Sequence, residues 1–252
     1  MLSTRLIPLL HIKGLNVVKP VHTEALRVVG NPVELAEGYY NESADELIYL
    51  DVVASLYERN VDLSLVRAVA DKIYIPLTVG GGIRSIHDIS NVLRAGADKV
   101  AINTQATKTP NLLKEAAEKF GSQCVVLFVE AKQTGPGAWE VLTDGGRERA
   151  QREVVEWVKQ GLDLGVGEIL ITSVDRDGTN RGYDLELIAA IAAFATVPII
   201  AHGGAGEPAT FRAAIREGRA DAVAASSVFH YHQLTPRQLK TDLRANGINV
   251  RL

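Results

Sequence analysis

The chain has 252 residues, and 27 Lys and Arg against 30 Asp and Glu give a formal net charge of −3. With 46% hydrophobic residues, enough aliphatic surface is present to offset the entropy lost on folding, which excludes a disordered chain. Cys124 is the single cysteine, so a disulfide scaffold and a cysteine-rich zinc site are excluded. The near-zero net charge argues against a nucleic-acid-binding protein, which usually carries a basic excess.

The sequence shows no targeting or membrane segment. Its longest apolar stretch, residues 187–195, is too short for a bilayer span of roughly 20 residues. No apolar region with a small-residue cleavage site follows Arg5, so no signal peptide is predicted. A lone thiol suits a reducing compartment, and these features together predict a cytoplasmic protein without membrane contact. No His, Cys or Asp cluster has metal-ligand spacing, and we predict neither a metal nor another cofactor.

Short Val-, Ile- and Leu-rich runs alternate along the chain with longer amphipathic stretches. Nearly continuous apolar runs predict strands that are buried on both faces, as in a parallel sheet. The predicted strands are residues 5–12, 46–51, 73–79, 99–103, 124–130, 168–172, 197–201 and 222–225. The predicted helices are residues 31–42, 63–71, 85–95, 110–120, 153–165, 184–194, 208–217 and 235–246. Eight alternating units predict an α/β fold of the (β/α)₈ TIM-barrel type, with a doubly wound sheet as the alternative.

The two halves of the sequence match each other at a nearly constant offset. Residues 76–82 (PLTVGGG) match residues 198–204 (PIIAHGG) at an offset of 122, and residues 94–96 match 216–218 at the same offset. No linker or low-complexity segment interrupts the chain. The repeat predicts one domain over residues 1–252, built from two fused half-barrels at about residues 1–123 and 124–252.

A pair of titratable residues ends the first and fifth predicted strands. In barrels of this type the active face is formed by the carboxyl ends of the strands, so His11 and Glu130 are predicted to face each other across the mouth. An imidazole with a pKa near 6.5 accepts or donates a proton at neutral pH, and such a pair suits general acid–base catalysis. The alternative is that His11 only ends a strand and that Glu130 pairs with Lys13 or Lys132.

Glycine-rich segments follow the third and seventh predicted strands, at residues 80–82 and 203–206. Backbone N–H groups near glycine can point at phosphate oxygens, and each segment leads into the N-terminus of a helix. The fourth and eighth strands end in Asn103-Thr104 and Ser226-Ser227, which add amide and hydroxyl donors. The pattern predicts two phosphate sites on opposite sides of the mouth, although tight turns alone would also use these glycines.

Charged and polar residues also mark the two ends of the predicted barrel. Asp51 ends the second strand, and residues 174–179, which include Asp177, follow the sixth strand at the same mouth. At the opposite end, half-buried charges must be paired to offset the loss of hydration, so four alternating charges are expected to close a ring. These charges begin strands one, two, four and six at Arg5, Glu46, Lys99 and Glu168.

Several longer motifs carry a family resemblance over essentially the whole chain. They are residues 30–36 (GNPVELA), 75–84 (IPLTVGGGIR), 165–170 (GVGEIL) and 203–206 (GGAG). With these motifs the sequence resembles the cyclase subunits of imidazole glycerol phosphate synthase, the HisF family. The resemblance implies a (β/α)₈ barrel that receives ammonia from a glutaminase subunit docked on the N-terminal face of the barrel, and that acts on a small-molecule substrate with two phosphates.

The resemblance also implies roles for individual residues. Lys19 matches the lysine that grips the substrate, and the four charged residues at the barrel floor match a gate for ammonia. The implied phosphate contacts in the first half are Gly82, Asn103 and Thr104. Those in the second half are Asp177, Gly178, Thr179, Gly204, Ser226 and Ser227.

The chain departs from the family at both catalytic positions, which are aspartates in the family and are His11 and Glu130 here. Three interpretations are therefore open. The first is an ammonia-dependent subunit that aminates another phosphorylated sugar-type compound, as in nucleotide-sugar amidation. The second is a cyclase and lyase of histidine biosynthesis with an altered acid–base pair. The third is a weakly catalytic barrel that binds a phosphorylated ligand and activates a glutaminase.

Overall fold

The computed structural model describes residues 3–21 and 24–252, without the side chains of residues 20, 21 and 24–26. The predicted domain range therefore includes residues 1, 2, 22 and 23, which lie outside the described residues. The strands are β1 Arg5–Lys13, β2 Asn16–Val21, β3 Glu24–Gly30, β4 Leu47–Asp51, β5 Leu77–Gly80, β6 Lys99–Ile102, β7 Val125–Gly135, β8 Ala138–Thr143, β9 Glu148–Glu153, β10 Glu168–Ser173, β11 Ile199–His202 and β12 Ala222–Ala225.

The helices follow the strands in regular alternation. They are α1 Pro32–Asn41, α2 Leu63–Ala70, α3 Ile86–Arg94, α4 Thr104–Lys108, α5 Asn111–Phe120, α6 Val154–Asp163, α7 Leu185–Ala192, α8 Pro208–Arg216, α9 Ser227–His230 and α10 Pro236–Ala245, with a 3₁₀ turn at Ser122–Cys124. Within residues 3–21 and 24–252, no helix combines the length and the apolar character needed to span a bilayer.

Eight of the strands form a closed parallel barrel. Their order is β1, β4, β5, β6, β7, β10, β11 and β12, and β12 pairs with β1 through Arg5 and Ala222 to complete the circle. The remaining pairs around the barrel are all parallel as well. The prediction of a (β/α)₈ TIM barrel is thus confirmed, and a doubly wound open sheet is excluded because β12 pairs with β1 and closes the parallel strands into a circle.

Two antiparallel hairpins extend the barrel at its carboxyl end and were not predicted. Strands β2 and β3 continue from β1, and strands β8 and β9 continue from β7. The order of strands and helices from β1 to α5 is the same as the order from β7 to α10. This repetition supports the proposed division near residue 123, while the fusion of two half-barrels stays a prediction.

Alternation along the strands sorts their side chains into two groups. Every second residue packs outward against the helices, and the residues between them point into the barrel. An apolar layer fills the middle of the barrel and consists of Ile7, Leu9, Ile48, Leu50, Ala101, Val126, Leu170, Ile200, Ala222 and Ala224. Stepping two residues at a time along β1 leads from Arg5 through Ile7 and Leu9 to His11. The period of two therefore places a charged floor, an apolar layer and a polar mouth on one inward face.

The boundaries of the predicted elements shift by a few residues at prolines. Strand β5 begins at Leu77 rather than at residue 73, because Pro76 has no N–H to donate to a neighbouring strand. The Pro76 carbonyl instead accepts from Leu47 N at 2.9 Å. Strand β11 likewise begins after Pro198, whose carbonyl accepts from Ile169 N at 3.0 Å. Both shifts leave the carboxyl ends of these strands, and thus the mouth, within one residue of the predicted positions.

Candidate functional site

A cavity of about 590 Å³ opens at the carboxyl ends of the barrel strands. It gathers predicted site residues from both halves of the chain, with His11 from β1 and Glu130 from β7. The other predicted residues in its wall are Asp51, Gly82, Asn103, Thr104 and Asp177. The structure therefore brings the predicted acid–base pair to one cavity at the predicted face of the barrel.

The Glu130 carboxyl group is buried and held by two N–H donors on the same oxygen. Oε2 accepts from Asn103 Nδ2 at 2.9 Å and from the Gly146 backbone N–H at 3.1 Å. Asn103 Nδ2 also donates to the Leu142 carbonyl at 3.0 Å. Because a carbonyl only accepts, this second bond fixes the orientation of the amide. When Glu130 is protonated, its proton is therefore carried by Oε1.

Burial raises the pKa of Glu130 to about 8. The hydrogen bonds from Gly146 and Asn103 act against this rise because they favour the ionised carboxylate, and the positive charge of Arg147 does the same. The nearby carboxylate of Asp177 adds to the rise. Loss of hydration outweighs the opposing contacts, so Glu130 is largely protonated at neutral pH.

The His11 imidazole is largely buried in the wall of the cavity and is neutral at neutral pH. Burial lowers its pKa well below 6.5, and the positive charge of Lys19 and the neighbouring His202 and His230 lower it further. Among the residues that the structure describes, its Nδ1 has no hydrogen-bond partner. Its ring centroid lies 5.6 Å from that of His202. The pair predicted from the sequence thus consists of a neutral acid and a neutral base.

His202, at the end of β11, is a site residue that the sequence reasoning missed. Ser226 Oγ donates to the Leu9 carbonyl at 2.8 Å, so it can only accept from His202 Nε2 at 3.4 Å. His202 Nδ1 then accepts from Thr172 Oγ1 at 3.0 Å, which fixes the Nε2–H tautomer. Burial lowers the pKa of His202 to about 4, so the ring is neutral.

His230 is a second buried histidine that the sequence left unassigned. Its Nδ1 lies 2.6 Å from the Tyr39 hydroxyl, and burial lowers its pKa to about 3. The two rings stack with their centroids 5.9 Å apart. Within the described part of the chain, these histidines form no group of three His, Cys, Asp or Glu side chains that could hold a metal ion.

Several other charged residues around the mouth form ion pairs. Lys19 Nζ lies 2.8 Å from Asp177 Oδ1, and both side chains are buried. Asp51 pairs with Arg59 at 2.8 Å. Lys132 pairs with Asp175, so the alternative in which it neutralises Glu130 does not hold. Lys13 is exposed, and the contacts described for Glu130 are with Asn103 and Gly146.

The predicted phosphate residues of the first half line the cavity. Gly82 has φ +67°, and a Cβ built there would lie 2.4 Å from the Arg59 carbonyl oxygen, so only glycine fits. Thr104 Oγ1 accepts from the backbone N–H of Asp144 at 3.0 Å. Three cations that the sequence reasoning did not single out share this cavity, namely Arg84, Lys108 and Arg147.

The predicted phosphate residues of the second half are placed differently. Asp177 lines the cavity, whereas Gly178, Thr179, Gly204, Ser226 and Ser227 do not. The Ser227 hydroxyl donates to Asn180 Oδ1 at 3.1 Å, and the Ser226 hydroxyl donates to the Leu9 carbonyl. A Cβ on Gly204 would lie 2.2 Å from the Gly182 carbonyl oxygen. The structure therefore does not bring the two predicted phosphate sites into one cavity.

The four charged residues at the opposite end of the barrel form a closed ring. Arg5 pairs with Glu46 at 2.7 Å and with Glu168 at 2.6 Å. Lys99 pairs with the same two carboxylates, at 2.9 Å and 2.8 Å. Each cation thus bridges both anions, and the ring lies directly below the apolar layer.

Comparison with known proteins gives a consistent result. A family model described as "Histidine biosynthesis protein" matches residues 5–235. A protein of Legionella pneumophila named "Imidazole glycerol phosphate synthase subunit HisF" is 55% identical over 207 residues, which cover 82% of this chain and 98% of the relative. A protein of the same name from Mycobacterium tuberculosis is 51% identical over 256 residues, which cover 99% of this chain and 96% of the relative.

Proposed function

The chain belongs to the histidine biosynthesis protein family, in its HisF branch, and from this premise we propose that it is the cyclase subunit of an imidazole glycerol phosphate synthase. The names of the relatives support this second interpretation from the sequence. Neither of these names supports the first interpretation, amidation of a nucleotide-linked sugar. The family assignment does not explain how His11 and Glu130 can replace the two catalytic aspartates. That explanation must come from the chemistry of these two side chains.

The observation that carries the proposal is the placement of His11 and Glu130 in one cavity at the carboxyl end of the barrel. Glu130 retains a proton on Oε1 at neutral pH, because its pKa is about 8. His11 stays unprotonated, because burial lowers its pKa. Two titratable groups whose surroundings push their pKa values in opposite directions can divide the roles of acid and base. The substitutions thus preserve a proton donor and a proton acceptor.

In the proposed reaction, ammonia adds to a carbonyl carbon of the substrate, and a C=N bond replaces the C=O bond. His11 accepts one proton from the attacking nitrogen, and Glu130 Oε1 donates its proton to the departing oxygen. A second proton passes from the nitrogen to this oxygen through solvent, so that the oxygen leaves as water. The surplus proton on His11 then returns through solvent to the Glu130 carboxylate. Each turnover therefore restores the starting protonation of both residues.

One end of a bis-phosphorylated substrate is proposed to bind at Gly82, Asn103 and Thr104. Arg84, Lys108 and Arg147 support this placement, because they bring positive charge to the same cavity. From the resemblance, we expect the second phosphate near Asp177, Gly178, Thr179, Gly204, Ser226 and Ser227. Because the hydroxyls of Ser226 and Ser227 already have partners, this contact would rely on backbone N–H groups.

Ammonia is proposed to enter through the ion ring from a glutaminase docked on the N-terminal face of the barrel. Among the described residues, the apolar layer inside the barrel lies between the ring and the cavity, and Leu50 and Ala101 belong both to this layer and to the cavity wall. Neutral ammonia can pass such a layer at a lower cost than an ammonium ion, because a charge loses far more hydration energy. The buried Thr78 Oγ1 has no partner among the described residues.

Complementation tests the proposed function. We expect the chain to restore growth without histidine to a strain that lacks the cyclase, and we expect the Glu130→Gln variant at equal expression to fail. Ammonium-dependent turnover of the cyclase substrate by the purified chain gives the direct measurement. Good expression with neither growth nor turnover would overturn the proposal, and stimulation of a glutaminase without product would instead favour the third interpretation.

A further inference from the structure

The turn between β8 and β9 joins two site residues that come from different strands. In the turn, residues 144–147, the backbone N–H of Asp144 donates to Thr104 Oγ1 at 3.0 Å. Two residues later, the backbone N–H of Gly146 donates to Glu130 Oε2 at 3.1 Å. The hydroxyl of Thr104 and the carboxyl of Glu130 are thus connected through three residues of one turn.

We propose that Thr104 is a positioning residue that acts through this turn and keeps the Gly146 N–H on Glu130 Oε2, which together with the amide of Asn103 leaves Oε1 to carry the proton. The use of that proton in catalysis rests on the proposed function, whereas the hydrogen-bond linkage does not. A phosphate oxygen in the cavity would accept the O–H proton of Thr104, while Thr104 Oγ1 continues to accept from the Asp144 N–H. Loss of the hydroxyl, by contrast, would remove this anchor of the turn.

The conformation of the turn makes it dependent on its anchors. Asp144, Gly145 and Gly146 have φ values of +53°, +70° and +77°. For Asp144 this region is disfavoured, so the turn needs compensating contacts to persist. A Cβ on Gly145 would lie 2.9 Å from the Val52 carbonyl oxygen, which shows how closely the turn packs against the segment after β4. The turn is therefore held by its packing against Val52 and by the hydrogen bond to Thr104.

The charges around Glu130 determine whether release of the turn raises or lowers its pKa. Arg147, at the end of the same turn, favours the ionised carboxylate, as does the N–H of Gly146. Asp177, from the loop after β10, favours the protonated form, and it is itself paired with Lys19. From β6, the amide of Asn103 favours ionisation and is anchored independently by Leu142. Release of the turn removes two groups that lower the pKa, so the titration midpoint of Glu130 must rise.

The first experiment follows the Glu130 carboxyl by ¹³C NMR in protein labelled at glutamate, with Glu130→Gln identifying its signal. Thr104→Val removes the hydroxyl and keeps the branched shape, and Thr104→Ser keeps the hydroxyl as the matched control. We expect Thr104→Val to raise the midpoint by about one pH unit, the size of one hydrogen bond, and Thr104→Ser to leave it near the wild-type value. Equal midpoints in all three proteins would overturn the proposal.

A second measurement needs no substitution and keeps the proposal testable if Thr104→Val does not fold. In wild-type protein labelled with ¹⁵N-glycine, the Gly146 amide proton must shift with pH at the same midpoint as the Glu130 carboxyl. A Gly146 signal that stays constant across this midpoint would overturn the proposed linkage. Neither experiment requires turnover, so failure of the linkage is distinguishable from failure of the proposed cyclase activity.

Discussion

The two halves of the barrel follow the same order of elements but present different chemistry at the mouth. In the first half, Gly82, Asn103 and Thr104 line the open cavity. In the second half, Ser226 and Ser227 lie outside this cavity, and their hydroxyls have partners within the protein. One order of elements thus places its predicted phosphate residues in the cavity wall in one half and largely outside it in the other.

The same comparison applies to the acid–base pair at the ends of β1 and β7. Burial affects both groups, but it lowers the pKa of an imidazole and raises that of a carboxyl, because in each case it disfavours the charged form. In the proposed mechanism, His11 thereby serves as the base and Glu130 as the acid, although both lie on the first strand of their half of the chain.

We expect the largest loss of activity when Glu130, the proposed acid of the second half, is replaced. Glu130→Gln keeps the size of the side chain but cannot donate the same proton, and we expect kcat for ammonium-dependent turnover to fall about 10³-fold. The exposed Glu156 on α6 provides the control, and Glu156→Gln should retain wild-type kcat. Wild-type kcat in Glu130→Gln would remove Glu130 from the mechanism.

Removing the base of the first half should have a smaller effect. His11→Asn deletes the proton acceptor, and we expect kcat to fall about 10²-fold, because solvent can take the proton less efficiently. His232 is exposed and provides the matched control, so His232→Asn should behave as wild type. Steady-state kinetics at saturating ammonium measure both variants. If the two variants are equally active, His11 has no catalytic role.

The ion ring offers a comparison between a closed network and an isolated surface pair. Glu46→Gln breaks two short contacts at a mostly buried carboxylate, and we expect it to lower the free energy of unfolding by about 2 kcal/mol. Glu37 pairs with Lys72 at 3.6 Å with both side chains about half exposed, so Glu37→Gln should cost less than about 0.5 kcal/mol. Urea unfolding at pH 7 measures both values, and equal costs would contradict the structural importance of the ring.

The two sets of predicted phosphate residues should differ in their effect on substrate affinity. Thr104→Ala removes a hydroxyl from the cavity wall, and we expect KM to rise about 10-fold. Ser227→Ala removes a hydroxyl that donates its hydrogen bond to Asn180, and we expect KM to change less than about twofold. Steady-state measurement of KM for the phosphorylated substrate in both variants decides the comparison. A larger effect at Ser227 would place the main phosphate contact in the second half.

Much of the fold and part of the site could be predicted from local patterns. The period of two on β1 predicts both Arg5 at the floor and His11 at the mouth, because it follows from strand geometry alone. Strand β9 was missed because residues 148–153 (ERAQRE) lack an apolar alternation, although the Asp144-Gly145-Gly146 turn before it is a hairpin signal. Sequence patterns alone give no sign of the role of His202, since its partners come from β10 and from the end of β12.

The pH dependence of turnover, measured at a constant concentration of free ammonia, tests whether Glu130 and His11 act as the proposed acid and base. Because the protonated acid is the active form and its pKa is about 8, kcat/KM should fall tenfold per pH unit above that value. On the acid side, the lowered pKa of His11 should keep the rate constant to well below pH 6.5. A rate that stays level or rises between pH 8 and pH 9 would contradict the assignment of Glu130 as the proton donor.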